Sequence, residues 1–170
     1  VFDVFTILTV LISQLGFMSS AVAKVDAAPV QDGIPTSPSF AGVTLSNVRI
    51  NDGDNTEFVS PGSIFSLSMD YSIVDPGCPN CIDEIEIGFS TDSAPLSCIY
   101  TGIPGVEGVS GSATIEVTAP TTPGIYYLGF DRAQHYSCGE ALAAGWWNGA
   151  PDSSRYIASV AIATQVVTSA

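Results

Sequence analysis

"SIFSLSMDYSIV", residues 63–74, alternates from end to end: Phe65, Leu67, Met69, Tyr71 and Ile73 share one parity, and Ser66, Ser68, Asp70 and Ser72 the other. Successive side chains of a strand point to opposite faces, so this pattern makes a strand with one buried and one solvated side. A helix would scatter the same apolar residues around its circumference. Pro61-Gly62, just upstream, is turn chemistry that starts the strand.

Shorter segments repeat the signature on either side. "VTLSNVRI" (43–50) precedes it. "IDEIEIGF" (82–89) points Ile85, Ile87 and Phe89 inward and leaves Glu84 and Glu86, with Asp83 nearby, on a solvated face. "APLSCIYT" (94–101), "SATIEVTA" (112–119), "GIYYLGF" (124–130) and "RYIASVAIA" (155–163) follow, each β-branched or aromatic and bounded by Gly, Pro, Ser or Asp. About seven such strands predict an all-β chain folded as an immunoglobulin-like antiparallel β-sandwich. "CGEALAAGWW" (138–147) is the one helical stretch, a short helix of barely two turns near the C-terminal part.

The chain has 170 residues, which suits one domain, and its 46% hydrophobic content against 12% charged is enough to build a core. Seventeen acids against four Lys and Arg give a net charge of −13. Nucleic acid is excluded as a partner, because phosphate binding needs clustered cations. Anionic membrane surfaces are disfavoured for the same reason.

Residues 1–23 have the layout of a signal peptide: an apolar run from Val4 to Leu15, then small residues and Ala21-Val22-Ala23. Asp3 stands where a basic residue is usual. The run is interrupted by Ser13 and Gln14, so no membrane span is expected in the mature chain. The alternative is a retained hydrophobic segment that assembles the protein into a filament or surface layer. Residues 24–41, rich in Pro, Ala and Ser, read as a flexible linker, and 42–170 as the sandwich domain.

Four cysteines behind an export signal favour two disulfides. Cys78-Pro79-Asn80-Cys81 leads into a strand rather than a helix, so it lacks the helix N-terminus that activates a redox thiol. Cys98 and Cys138 are too far apart for a two-pair zinc site. The favoured pairing is Cys78–Cys81 and Cys98–Cys138; pairing of Cys78 and Cys81 each to a distant cysteine stays open.

The Pro-Gly turn and Tyr-rich strand of "APTTPGIYYLGF" resemble the penultimate strands of bacterial immunoglobulin-like domains. More narrowly, "CPNCIDEIEIGF", "CIYTGIPGVEGVSG" and "DRAQHYSC", in that order, resemble an uncharacterised group of secreted microbial β-sandwich domains. The resemblance spans Val43 to Ile162. It implies a secreted fold and no activity.

Three segments carry residues suited to function. "NDGDNTE" (51–57) offers Asp52, Asp54 and Glu57 as oxygen ligands for calcium, though its register does not match an EF-hand loop and a plain Asp-Gly turn explains it as well. "GIPGVEGVSGS" has four glycines but leads into a strand, which makes it a loop with φ > 0 rather than a phosphate cradle. Residues 131–155 gather Arg132, His135, Trp146 and Trp147, a set that can stack on and hydrogen-bond a sugar. The competing reading is structural: one Trp plugs the sandwich and Arg132 pairs with Asp131 or Glu140. With one histidine and no G-x-S-x-G elbow there is no hydrolytic triad. The expectation is a secreted or cell-surface, non-enzymatic module that needs no cofactor and binds an extracellular glycan or protein, or itself in a polymer.

Overall fold

The computed structural model describes residues 34–163 except 75, 76 and 79. The proposed signal peptide and most of the proposed linker lie outside the described residues. Among the described residues nine strands are present: β1 Ser39–Phe40, β2 Val43–Ile50, β3 Thr56–Val59, β4 Ile64–Ile73, β5 Asp83–Phe89, β6 Ser97–Gly102, β7 Val109–Thr118, β8 Gly124–Ala133 and β9 Tyr156–Ile162. One helix, α1 (Cys138–Ala144), and a 3-10 turn at Ser153–Arg155 occupy the connection between β8 and β9. Among the described residues no helix is long and apolar enough to cross a membrane.

The strands form two sheets, β1-β2-β4-β7 and β3-β9-β8-β5-β6. β4 lies inside the first sheet and pairs with β7 over ten consecutive residues without a register shift. Its alternation is as read: Phe65, Leu67, Met69 and Ile73 are buried. They pack with Leu45 of β2 against Ile85, Ile87 and Phe130 of the other sheet in one apolar cluster. Each such side chain contributes about 1.5–3 kcal/mol relative to exposure. All-β architecture and a short helix near the C-terminal part follow the sequence expectation.

Three details differ from it. There are nine strands rather than seven, because β1 and β3 have only two and four residues, too few to show a period. Ser39–Phe40, grouped by composition with the linker, pairs with β2, and Phe40 packs on the core. The sandwich is not wholly antiparallel, since β3 runs parallel to β9, with Thr56 opposite Ser159. The third difference concerns β5. It is buried on both faces, including Glu84 and Glu86 at 0% exposure, where alternation predicted a solvated outer face. The β8–β9 connection folds back over that face and covers it.

One end of the sandwich gathers the β1–β2 turn, the β4–β5 and β6–β7 connections and the exit from β8, as the pairings Val43–Ile73, Ile73–Val109 and Glu84–Ala133 require. The glycine-rich β6–β7 loop does use positive φ, at Gly105 and Gly108. At Gly108 a side chain would also strike the Ile73 carbonyl.

Candidate functional site

The site is the outer face of β5 and β8 together with the connection that covers it. Strand parity decides which side chains lie there. Glu84, Glu86 and Gly88 of β5 sit beside Ala133, Asp131 and Gly129 of β8, in register. Two of these positions must be glycine. A Cβ on Gly88 would lie 3.0 Å from the Trp146 ring and 2.9 Å from the Leu96 nitrogen, and one on Gly129 would lie 2.5 Å from Pro151. Their absence lets Trp146 and Pro151 lie against the sheet.

The covering segment is fixed along its length. Ser137 caps α1 by accepting from the Glu140 amide at 3.3 Å, and Glu140 reaches back to the Tyr136 amide at 3.2 Å, a reciprocal arrangement that satisfies helix-start donors. The Cys98–Cys138 disulfide ties the first residue of α1 to β6, next to Glu86, which is opposite Cys98. The Trp146 indole N–H donates to the Asp92 carbonyl at 3.0 Å. Asn148 bridges to Asp131 through its backbone amide at 2.7 Å and its side chain at 2.9 Å. Arg155 completes the frame with an ion pair to Asp131 at 3.2 Å and donor bonds to the carbonyls of Gly149 and Ala150.

Asp131 is thereby surrounded by donors. Glu84 and Glu86 are not. Glu84 accepts one bond, from the His135 amide at 2.9 Å, and its other oxygen is unpartnered. Neither oxygen of Glu86 has a partner of good geometry; its one favourable polar contact is the backbone of Trp147. Burial pushes the Glu86 carboxyl up to about 7, and the charge of Asp131 and, less strongly, of Glu84 adds to it against that Trp147 contact. Burial also raises Glu84, opposed by His135.

Of the four residues expected to bind ligand, the structure brings His135 and Trp147 together, ring edge to ring face at 4.9 Å. Trp147 is half-exposed at 51%, and Tyr136, beside His135 in the chain, is 85% exposed. Trp146 is buried, so the two tryptophans do not form a joint platform. Arg132 is also buried. It points to the inner face, where its Nε and Nη2 donate to Asp83 at 3.1 and 2.7 Å and its Nη1 donates to the Ala41 carbonyl at 2.6 Å. The expected side-chain pairing with Asp131 or Glu140 does not occur, because consecutive strand residues face opposite ways. Asn148 and Arg155 are structural members that sequence reasoning did not single out, and Asp83 and Asp131 take roles other than those expected, a solvated face and the partner of Arg132; the signal was the crowding of acids and arginines into strands flanking one long connection.

Both favoured disulfides, Cys78–Cys81 and Cys98–Cys138, are formed, and no cysteine is free. The acidic segment at 51–57 is a tight turn. Asn51 and Asp52 both have positive φ and the Gly53 amide donates to the Ile50 carbonyl at 2.8 Å, the pattern of a type I′ turn. Asp52, Asp54 and Glu57 line a cleft of about 580 Å³ with Arg49. Among the described residues no three His, Cys, Asp or Glu side chains stand close enough to hold a metal ion. A second cleft of about 390 Å³ lies around Asp70 and Ser112. Both clefts lack aromatic residues, which directs attention to the β8–β9 connection.

No protein-family model and no curated protein matches the chain. Among solved structures it is similar to the Pseudomonas fluorescens alkylpurine DNA glycosylase AlkC bound to DNA containing an abasic site analog, at 9% identity and a TM-score of 0.38. That match covers 74% of this chain and 32% of the other, so the chain spans about a third of that protein's length. A likeness of this size carries no argument about fold or function.

Proposed function

We propose that the chain is a secreted or cell-surface, non-enzymatic, immunoglobulin-like recognition module, and that its ligand is an extracellular glycan held against Trp147. The observation that carries this reading is a half-exposed Trp147 on a backbone that Trp146, Asn148 and the Cys98–Cys138 disulfide hold in place. An aromatic face presented by a fixed segment loses little freedom on stacking against a sugar. His135 packs its ring against Trp147, and exposed Tyr136 stands next to His135 in the chain. The two disulfides support an oxidising compartment. Glu84, Glu86 and Asp131 have no exposed surface, so as they stand they do not reach a substrate, which favours binding over hydrolysis.

The test is a glycan array probed with the wild type and with Trp147→Ala, with Tyr136→Ala alongside. Loss of one stacking ring lowers affinity about tenfold. A wild type that binds no glycan, or a Trp147→Ala variant that binds as well as the wild type, refutes the reading; capture of a protein ligand instead would move it to protein recognition.

A further inference from the structure

Buried polar groups in folded proteins nearly always have partners, so a cluster of orphans needs a reason. Here Glu84 Oε1, both oxygens of Glu86 and His135 Nε2 are all buried without one. Glu84 and Glu86 share the outer face of β5, and His135 lies over Glu84, to which its amide donates. The segment above them carries the ring pair of the candidate ligand face.

We propose that Glu86 and the connection above it form a proton-operated latch: a neutral Glu86 keeps the 135–147 segment closed on β5, and an ionised Glu86 loosens it. The charged groups around Glu86 run almost entirely against its ionisation. Glu84 stands two residues away on its own strand, and Asp131 lies directly opposite on β8. From the cover, Glu140 of α1 adds negative charge near Glu84. The cation on this face, Arg155, is committed to Asp131 and to two carbonyls, and Arg132 with Asp83 lies on the inner face. The β6 side offers only the Cys98–Cys138 disulfide, which carries no charge. His135 lies over Glu84 rather than Glu86.

The direction of the response follows. Burial holds Glu86 protonated up to about pH 7 in the closed form. Once exposed, the carboxyl returns to the ordinary range near 4.5. Opening therefore strengthens as pH rises between these values, up to about tenfold per pH unit, and levels off above them. The disulfide at Cys138 and the bonds of Asn148 to Asp131 stay as pins near the two ends of the segment. The motion is local, and it carries Trp147 and His135 with it.

Insofar as it regulates ligand capture, the latch rests on the recognition role proposed above; its own test does not. Hydrogen exchange of the ligand-free, full chain is followed from pH 4.5 to 8.5 for the amides of residues 139–147, corrected for intrinsic exchange chemistry. The expected result is an opening constant that climbs between about pH 5 and 7 and then flattens. Glu86→Gln keeps the shape and removes the charge, so it gives a lower opening with a much shallower pH response, the remainder coming from Glu84, which burial also raises. Glu116→Gln, on the exposed face of β7, keeps the wild-type response and controls for net charge. A flat wild-type profile, or a slope undiminished in Glu86→Gln, overturns the latch. Failure of the glycan array with a normal exchange profile overturns only the ligand assignment.

Discussion

Replacing Arg132 by Met removes the ion pair that closes the inner face, together with the bond to the Ala41 carbonyl. The guanidinium is 8% exposed and Asp83 0%, and the two meet through two parallel N–H···O bonds of 3.1 and 2.7 Å. Gln134 adds a third donor to Asp83 at 3.0 Å. Methionine fills much of the arginine volume, so packing is largely kept while the charge is lost. What remains is a buried carboxylate with one neutral donor. Breaking a buried pair from one side costs about 3–5 kcal/mol, far more than an exposed pair is worth. In a domain of this size that lowers the melting temperature by about 10–20 °C. The double variant Arg132→Met/Asp83→Leu removes both charges and recovers most of the loss. Thermal unfolding followed by circular dichroism reads all three. A single variant that melts within about 3 °C of the wild type would show that water reaches the pair and that the reasoning from burial is wrong. So would a double variant no better than the single.

Two further outcomes are expected. The Cys98–Cys138 bond closes a separation of 40 residues and Cys78–Cys81 one of three, so chain entropy gives about 4 and about 2 kcal/mol; paired Cys→Ala variants should lose stability to denaturant in that order, and equal losses would contradict it. For Glu86, a folded value near 7 against 4.5 unfolded means the folded state holds the extra proton between those limits, so stability is full below about pH 4.5 and falls by about 3 kcal/mol on rising to pH 7; Glu86→Gln should flatten that stretch of the profile in chemical denaturation, and an unchanged slope would count against it.

The fold was legible where one face of a strand is core and the other is water. β4 shows this best, and β2 was readable to the residue because Val43 and Leu45 alternate against Thr44 and Ser46. β5 misled for a physical reason. Its Ile-Glu alternation is real, but period two reports only that the faces differ, not that one of them is wet. A sheet face covered later in the chain by a connection looks, locally, like a solvated one. The clues lay elsewhere, in Gly88 and Gly129, where a missing side chain leaves room for a neighbour, and in a connection of some twenty residues that had to go somewhere. The disulfides were legible because cysteine chemistry restricts the choices. The proposed ligand face was half legible: His135 and Trp147 meet, whereas Arg132 and Trp146 belong to the frame. Which of two adjacent tryptophans faces inward depends on the tertiary fold and could not be read from their order.

The parallel pairing of β3 with β9 has a consequence for how the chain comes together. Among the described residues β3 comes early, at Thr56–Val59, yet its partner is the last described strand, Tyr156–Ile162. A chain emerging from its N-terminus can assemble β2 with β4 and β7 as soon as those segments appear. The larger sheet stays open at one edge until the final strand arrives to lie between β8 and β3. Closure is thus deferred until β9 has been made, after a loop of about a hundred residues has been gathered, which makes the acquisition of the native state slow and all-or-none rather than progressive. A ribosome-bound or truncated chain ending before Tyr156 would display the unpaired edges of both β8 and β3. Quality control would meet this protein either finished or conspicuously unfinished.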